Sequence, residues 1–327
     1  MKMLCALASL LLSSVSVFAS LPLGTVHDIS SVSCPSGFSS TATCSTAIVS
    51  CPGTTDLSLT YGFQNPTVTP VLGTVAFFAA GPGTSLAGQM ISNYYSTFIA
   101  AGIQPIEFVW SSIWWDTGVS TKSILIAACR QATIGQYFHD SVHVSGKFSV
   151  LGSSAGAGAI VYWLAWYGGA STIDFAELSS GPVFSDIMQG CRFPKWTNQE
   201  IFPTNGASYE DHVYYDNPTA LTSTTGQTCL DSNGTSIPED ATWLAMSIVT
   251  AGWQTSYSTP ISGWLCNNGT NNSAGQANIF YSQIISAYSL TAITNCNGAE
   301  GTIYGTTPQG VSGFNAILAD ILANFAA

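Results

Sequence analysis

From position 70 onward, short apolar runs alternate with longer segments of helical spacing. Residues 71–78 form a compact, mostly apolar run that stops at Ala80-Gly81-Pro82-Gly83, the pattern of a buried strand ending in a tight loop. Residues 106–110 and 148–151 read as further strands, and 92–101, 121–137 and 157–167 as helices. Strand, Gly-rich turn and helix, repeated in this way, predict an α/β fold with a doubly wound, mostly parallel sheet. Strands over 175–178, 260–266 and 290–294 and helices over 278–288 and 314–325 complete the pattern. Residues 187–245 are irregular, with Pro, Asn and Thr, and predict a covering, lid-like insertion at one end of the sheet.

The first 68 residues differ. Residues 1–19 carry Lys2, an apolar run over 4–12 and Val17-Phe18-Ala19 at the end, which reads as a signal peptide cleaved after Ala19. The run is too short to span a bilayer, and no later stretch is long enough, so no membrane anchor is expected and the mature chain should be secreted. Residues 20–68 are rich in Ser, Thr, Gly and Cys. They predict a disulfide-tied segment of short strands packed on the main domain, 69–327.

Composition sharpens this. Hydrophobic residues make up 46% of the 327 positions and charged residues 7%, so the chain can bury a large core. Without Lys2 there are five basic residues against seventeen acidic, a net of −12, which argues against a nucleic-acid partner. Eight cysteines remain after Cys5 is removed, enough for four disulfides. Cys266 with Cys296, and Cys129 with Cys191, are the pairings expected from the order of elements. No CxxC spacing occurs and histidines are scarce, so no metal or other cofactor is expected. Asn233, Asn268 and Asn271 each begin a glycosylation sequon, which in a secreted chain marks surface loops.

The chemistry-bearing motif is Gly152-Ser153-Ser154-Ala155-Gly156, a G-x-S-x-G between a buried strand and a helix. On such a strained turn the two glycines remove side chains that would clash as it closes. Ser154 Oγ is then presented above the sheet at the positive end of the helix dipole, and the Ala155 N–H faces a developing oxyanion. A second donor is expected from the 81–85 loop. Pro82 has no N–H, so Gly83 or Thr84 would supply it.

These residues resemble a known group, the secreted fungal and bacterial α/β-hydrolase-fold proteins related to lipases and esterases. The matching pieces are 73–83, Ala127-Ala128-Cys129-Arg130, 152–158, Ser180-Gly181-Pro182-Val183-Phe184 and Gly298-Ala299-Glu300-Gly301, within residues 70–327. The resemblance implies a serine esterase with the chain order Ser, acid, His. It would place the acid after the strand ending near Leu265, where this chain has Asn267-Asn268-Gly269-Thr270. It would place the histidine before the last helix, where this chain has Ala299-Glu300-Gly301-Thr302.

Of the four histidines, His139 and His143 precede the strand that feeds Ser154 and should lie at its far end, and His27 is near the N-terminus. His212, the one histidine after Ser154, is the first candidate base, with Asp186 or Glu210 to orient it. Glu300 is the alternative base, since burial can raise a carboxyl pKa far enough. Trp114 and Trp115, in a loop after a strand, are candidates to wall a cleft, with Asp116 beside them. Two functions remain. One is a serine hydrolase acting on a small-molecule, lipid or cell-wall-derived ester. The other is a degenerate hydrolase fold that binds such a ligand without turnover.

Overall fold

The computed structural model describes residues 20–86, 89–119, 123–187, 244–266, 273–294 and 306–327. They form a nine-stranded sheet: β1 (Thr25–Val32), β2 (Thr43–Ser50), β3 (Leu57–Phe63), β4 (Gly73–Phe78), β5 (Ile103–Trp110), β6 (Lys147–Ser153), β7 (Phe175–Ser179), β8 (Ile261–Cys266) and β9 (Tyr288–Ile293). The spatial order is β1-β2-β3-β5-β4-β6-β7-β8-β9. From β5 to β9 every pairing is parallel.

Helices cover both faces, so the central strands are apolar along their whole length rather than alternating. All residues of β4, β7 and β8 are buried. One core holds Phe78, Phe108, Trp110 and Phe148 under α2 (Ile124–Tyr137) and α3 (Ala155–Trp166). The other holds Val75, Phe77, Leu151 and Phe175 under α1 (Gln89–Ala100) and α5 (Gly313–Ala326). A further helix, α4 (Ser273–Gln283), packs on β8. The doubly wound sheet expected from the sequence is therefore present.

One expectation becomes more definite and two change. The Cys-rich segment is a disulfide-tied set of strands, and it meets the domain edge to edge: β1, β2 and β3 pair antiparallel with one another, and β3 pairs antiparallel with β5, so the segment widens the sheet itself. Hydrogen-bonding its backbone to β5 satisfies the polar groups of a segment too poor in apolar residues to fold alone. Cys129 pairs with Cys51, not with Cys191, and so ties α2 to the end of β2, while Cys34 pairs with Cys44. Cys266 is also disulfide-bonded, and Cys296 lies outside the described residues. The helix expected over 278–288 is α4, five residues earlier. Tyr288 is instead the first residue of β9, in register with Ile261.

Candidate active site

β6 runs straight into α3 with Ser154 between them. Ser154 has φ 51° and ψ −113°, a backbone that non-glycine residues rarely adopt and that persists only where the surroundings impose it. Its N–H donates to Ser179 O at 2.9 Å, and its carbonyl accepts from Gly158 N at 3.0 Å. The neighbouring glycines make this turn possible. A Cβ on Gly156 would lie 2.0 Å from Phe78 O, and one on Gly152 would lie 2.7 Å from the backbone N of Ala157. Both obstacles are main chain, which cannot step aside.

Ser123 and Ser312 cap α2 and α5 with their side chains. Ser154, also at a helix N-terminus, does not cap α3.

The strand order brings two loops to this bend. β4 lies beside β6, so the segment after Phe78 meets the elbow, with Phe78 O and Ala79 O against Gly156. Gly81 (φ +58°) and Gly83 (φ +71°) turn the chain there. Gly83 packs against Trp110 and Trp114, and its carbonyl accepts from Trp110 N at 2.9 Å. On the other side, the segment after β7 returns across the start of α3. A Cβ on Gly181 would lie 3.1 Å from Ser154 O, and one on Gly158 would lie 2.8 Å from Val183 O. Ser154 is covered: only 1% of it is exposed, where the elbow geometry alone suggested an open tip.

Asp186 lies on that returning segment and is buried, with its backbone held on both sides by the Gln276 side chain, at 2.8 and 3.0 Å. His27 is on β1, at the opposite edge of the sheet, bonded to Ser50 Oγ and Asp28. His143 contacts Thr74 Oγ1 at 2.7 Å near the start of β4, and His139 stacks on it before β6. Both therefore sit at the far end of the strand from Ser154, as expected. Burial, with help from His139, lowers the His143 pKa. His212, Glu210, Glu300 and the sequons at Asn233, Asn268 and Asn271 lie outside the described residues.

Trp114 and Trp115 are buried, packed edge to face on each other, with Trp115 also on Phe184. The loop that carries them is held by Arg130 of α2, a role the sequence did not suggest. Its guanidinium donates to the carbonyls of Trp114 (2.9 Å), Asp116 (2.5 Å) and Thr55 (2.6 Å). Burial lowers its pKa to about 10, against the opposing pull of Asp116 and Asp56. It therefore stays charged at neutral pH.

No family model matches the sequence, and no curated protein matches it. Solved structures do match. Est1E from Butyrivibrio proteoclasticus aligns with a TM-score of 0.52 at 11% identity, over 86% of this chain and 98% of that one. The same protein with ferulic acid bound aligns with a TM-score of 0.52 at 12% identity, over 86% and 99%. The fold is the α/β-hydrolase fold. At such low identity the likeness reaches no further than the fold. The β6–α3 bend is the sharp strand-to-helix turn at the centre of this sheet.

Proposed function

We propose that this protein is a secreted serine hydrolase acting on carboxylic esters, with Ser154 as nucleophile. The observation that carries this is the strained backbone of Ser154 at the strand-to-helix junction, held between glycines that admit no side chain.

His212 is the base. The other three histidines lie away from the elbow, on β1 or at the far end of β6. Asp186 orients it, with Glu210 as the other candidate. The support for Asp186 is its burial on the segment that crosses the start of α3. Glu300 is the alternative base. In the first step the Ser154 proton passes to the base as Oγ bonds to the ester carbonyl. The Ala155 N–H and an N–H of Gly83 or Thr84 hold the oxyanion. The protonated base then gives its proton to the departing alkoxide, and water repeats the cycle to free the acid.

The near-complete burial of Ser154 excludes bulk water, which strengthens these donors, and requires local opening before an ester can enter. The substrate is a small ester, a lipid, or an ester from a cell wall; Trp114 and Trp115, expected to wall its cleft, are instead packed into the core beside the 81–83 loop. The signal-like residues 1–19 and the three sequons support export and glycosylation.

A fluorophosphonate probe tests the proposal. Wild type should be labelled and Ser154→Ala should not. His212→Ala should slow p-nitrophenyl acetate hydrolysis by about a thousandfold or more, and Asp186→Asn should slow it severely. Folded wild type that resists the probe and hydrolyses no ester would identify a binding protein instead.

A further inference from the structure

A cavity of about 660 Å³ lies on the α1 side of the sheet, away from the α3 side that carries the elbow helix. It opens between the 37–41 turn, α1 and β5. The turn lies inside the ring closed by Cys34–Cys44, so its shape is constrained before any ligand arrives. Phe38 rests on Gly62, and the side chains of Thr41 and Gln64 are hydrogen-bonded to each other at the rim.

Two unusual groups line this cavity. Glu107, at the centre of β5, is 1% exposed, and its Oε1 has no hydrogen-bond partner among the described residues. Tyr95 of α1 is 5% exposed, and its hydroxyl is equally unpartnered. Burial raises the Tyr95 pKa, and the nearby Glu107 charge raises it further. Glu107 and Tyr95 are the only titratable side chains among the described lining residues, which include no Lys, Arg or His. A buried carboxyl group without a counter-charge is unfavourable, and a ligand that brings the charge offsets that cost.

An ammonium group meets these requirements. It has three donors and no acceptor, and the cavity presents the unpartnered oxygens of Glu107 and Tyr95. Phe38 and Tyr95 put aromatic rings in the wall, where a cation is favoured, and Val68 and Ile99 offer apolar wall to a carbon skeleton. A neutral sugar could use the hydroxyl-bearing rim but would leave the carboxylate uncompensated. We propose that this cavity binds a small organic primary amine, with its ammonium group on Glu107 and Tyr95.

Titration calorimetry of the full chain with benzylamine tests this, with benzyl alcohol as the neutral compound of the same shape. Benzylamine should bind saturably at one site. Benzyl alcohol, and benzylamine with Glu107→Gln, should bind at least about tenfold more weakly. Ser154→Ala should bind benzylamine like wild type, which separates this site from the elbow. Thermal melts would confirm that Glu107→Gln is folded. Absent benzylamine binding, equal binding of the alcohol, or an unaffected Glu107→Gln each overturns the proposal. Saturable glucose binding that survives Glu107→Gln overturns it in favour of a sugar site.

Discussion

At the scale of single residues, the elbow rests on glycines whose absent side chains have definite neighbours. A methyl group on Gly156 would enter Phe78 O, so Gly156→Ala must push β4 and α3 apart at the point where Ser154 is positioned. A displacement of about 1 Å at a reacting group costs on the order of a hundredfold in rate. We expect Gly156→Ala to lose at least that much ester hydrolysis, measured as kcat/KM on p-nitrophenyl acetate. Near-wild-type activity would show that the bend is not the reacting centre. The need for glycine at 152 and 156 was legible in the motif. Arg130 was not. A lone arginine within an apolar helix gives no sign that its partners are carbonyls up to 75 positions away.

At the scale of elements, pairwise packing overrides local propensity. Gly135 lies inside α2, where alanine would favour the helix by ~1 kcal/mol. Yet a Cβ there would sit 2.3 Å from the ring of Trp163, a residue with no exposed surface. Overpacking of this kind costs ~1–3 kcal/mol, so Gly135→Ala should be destabilising on balance. Urea unfolding would check it, and a raised midpoint would mean that α2 and α3 can separate at no cost. The apolar runs at 106–110, 148–151 and 175–178 were recognisable because a sheet covered on both faces needs them. Short strands were expected in the Cys-rich segment, but not their antiparallel joining to β5, because a polar and largely exposed strand such as β1 carries no apolar run that fixes its partner. The position of α4 depended on β9, whose start is set by register with β8 and not by helical periodicity.

At the scale of the whole molecule, the scarcity of charge makes each buried acid count. Burial raises the Glu107 pKa to about 7, with the Ser39 backbone opposing. Glu177, fully buried and facing Asp320, is raised well above the carboxylate range, chiefly by desolvation. Between about pH 4.5 and 7 the folded chain holds a proton on Glu107 that the unfolded chain has released. Stability therefore falls as pH rises through that window and is level above it, by ~3 kcal/mol at most from this group. Glu177 acts in the same direction. The depressed His143 acts in the opposite one, its contribution being lost as pH falls through the ordinary histidine range. The clean measurement is a difference: Glu107→Gln should match wild type near pH 4 and melt progressively higher than wild type towards pH 8. Parallel curves would show that Glu107 is not held in its neutral form.

The sequence by itself determined the doubly wound sheet and the Gly152–Gly156 elbow. Both depend on contacts between near neighbours in the chain, on apolar runs and on backbone angles that particular residues permit. The tertiary structure alone decided that β1–β3 join the sheet, that Cys129 meets Cys51, that Ser154 lies under cover, and that Glu107 and Tyr95 share a cavity. Each of these brings together segments far apart in sequence. Their meeting is selected by the free energy of packing the whole chain, and no single stretch of it carries that information.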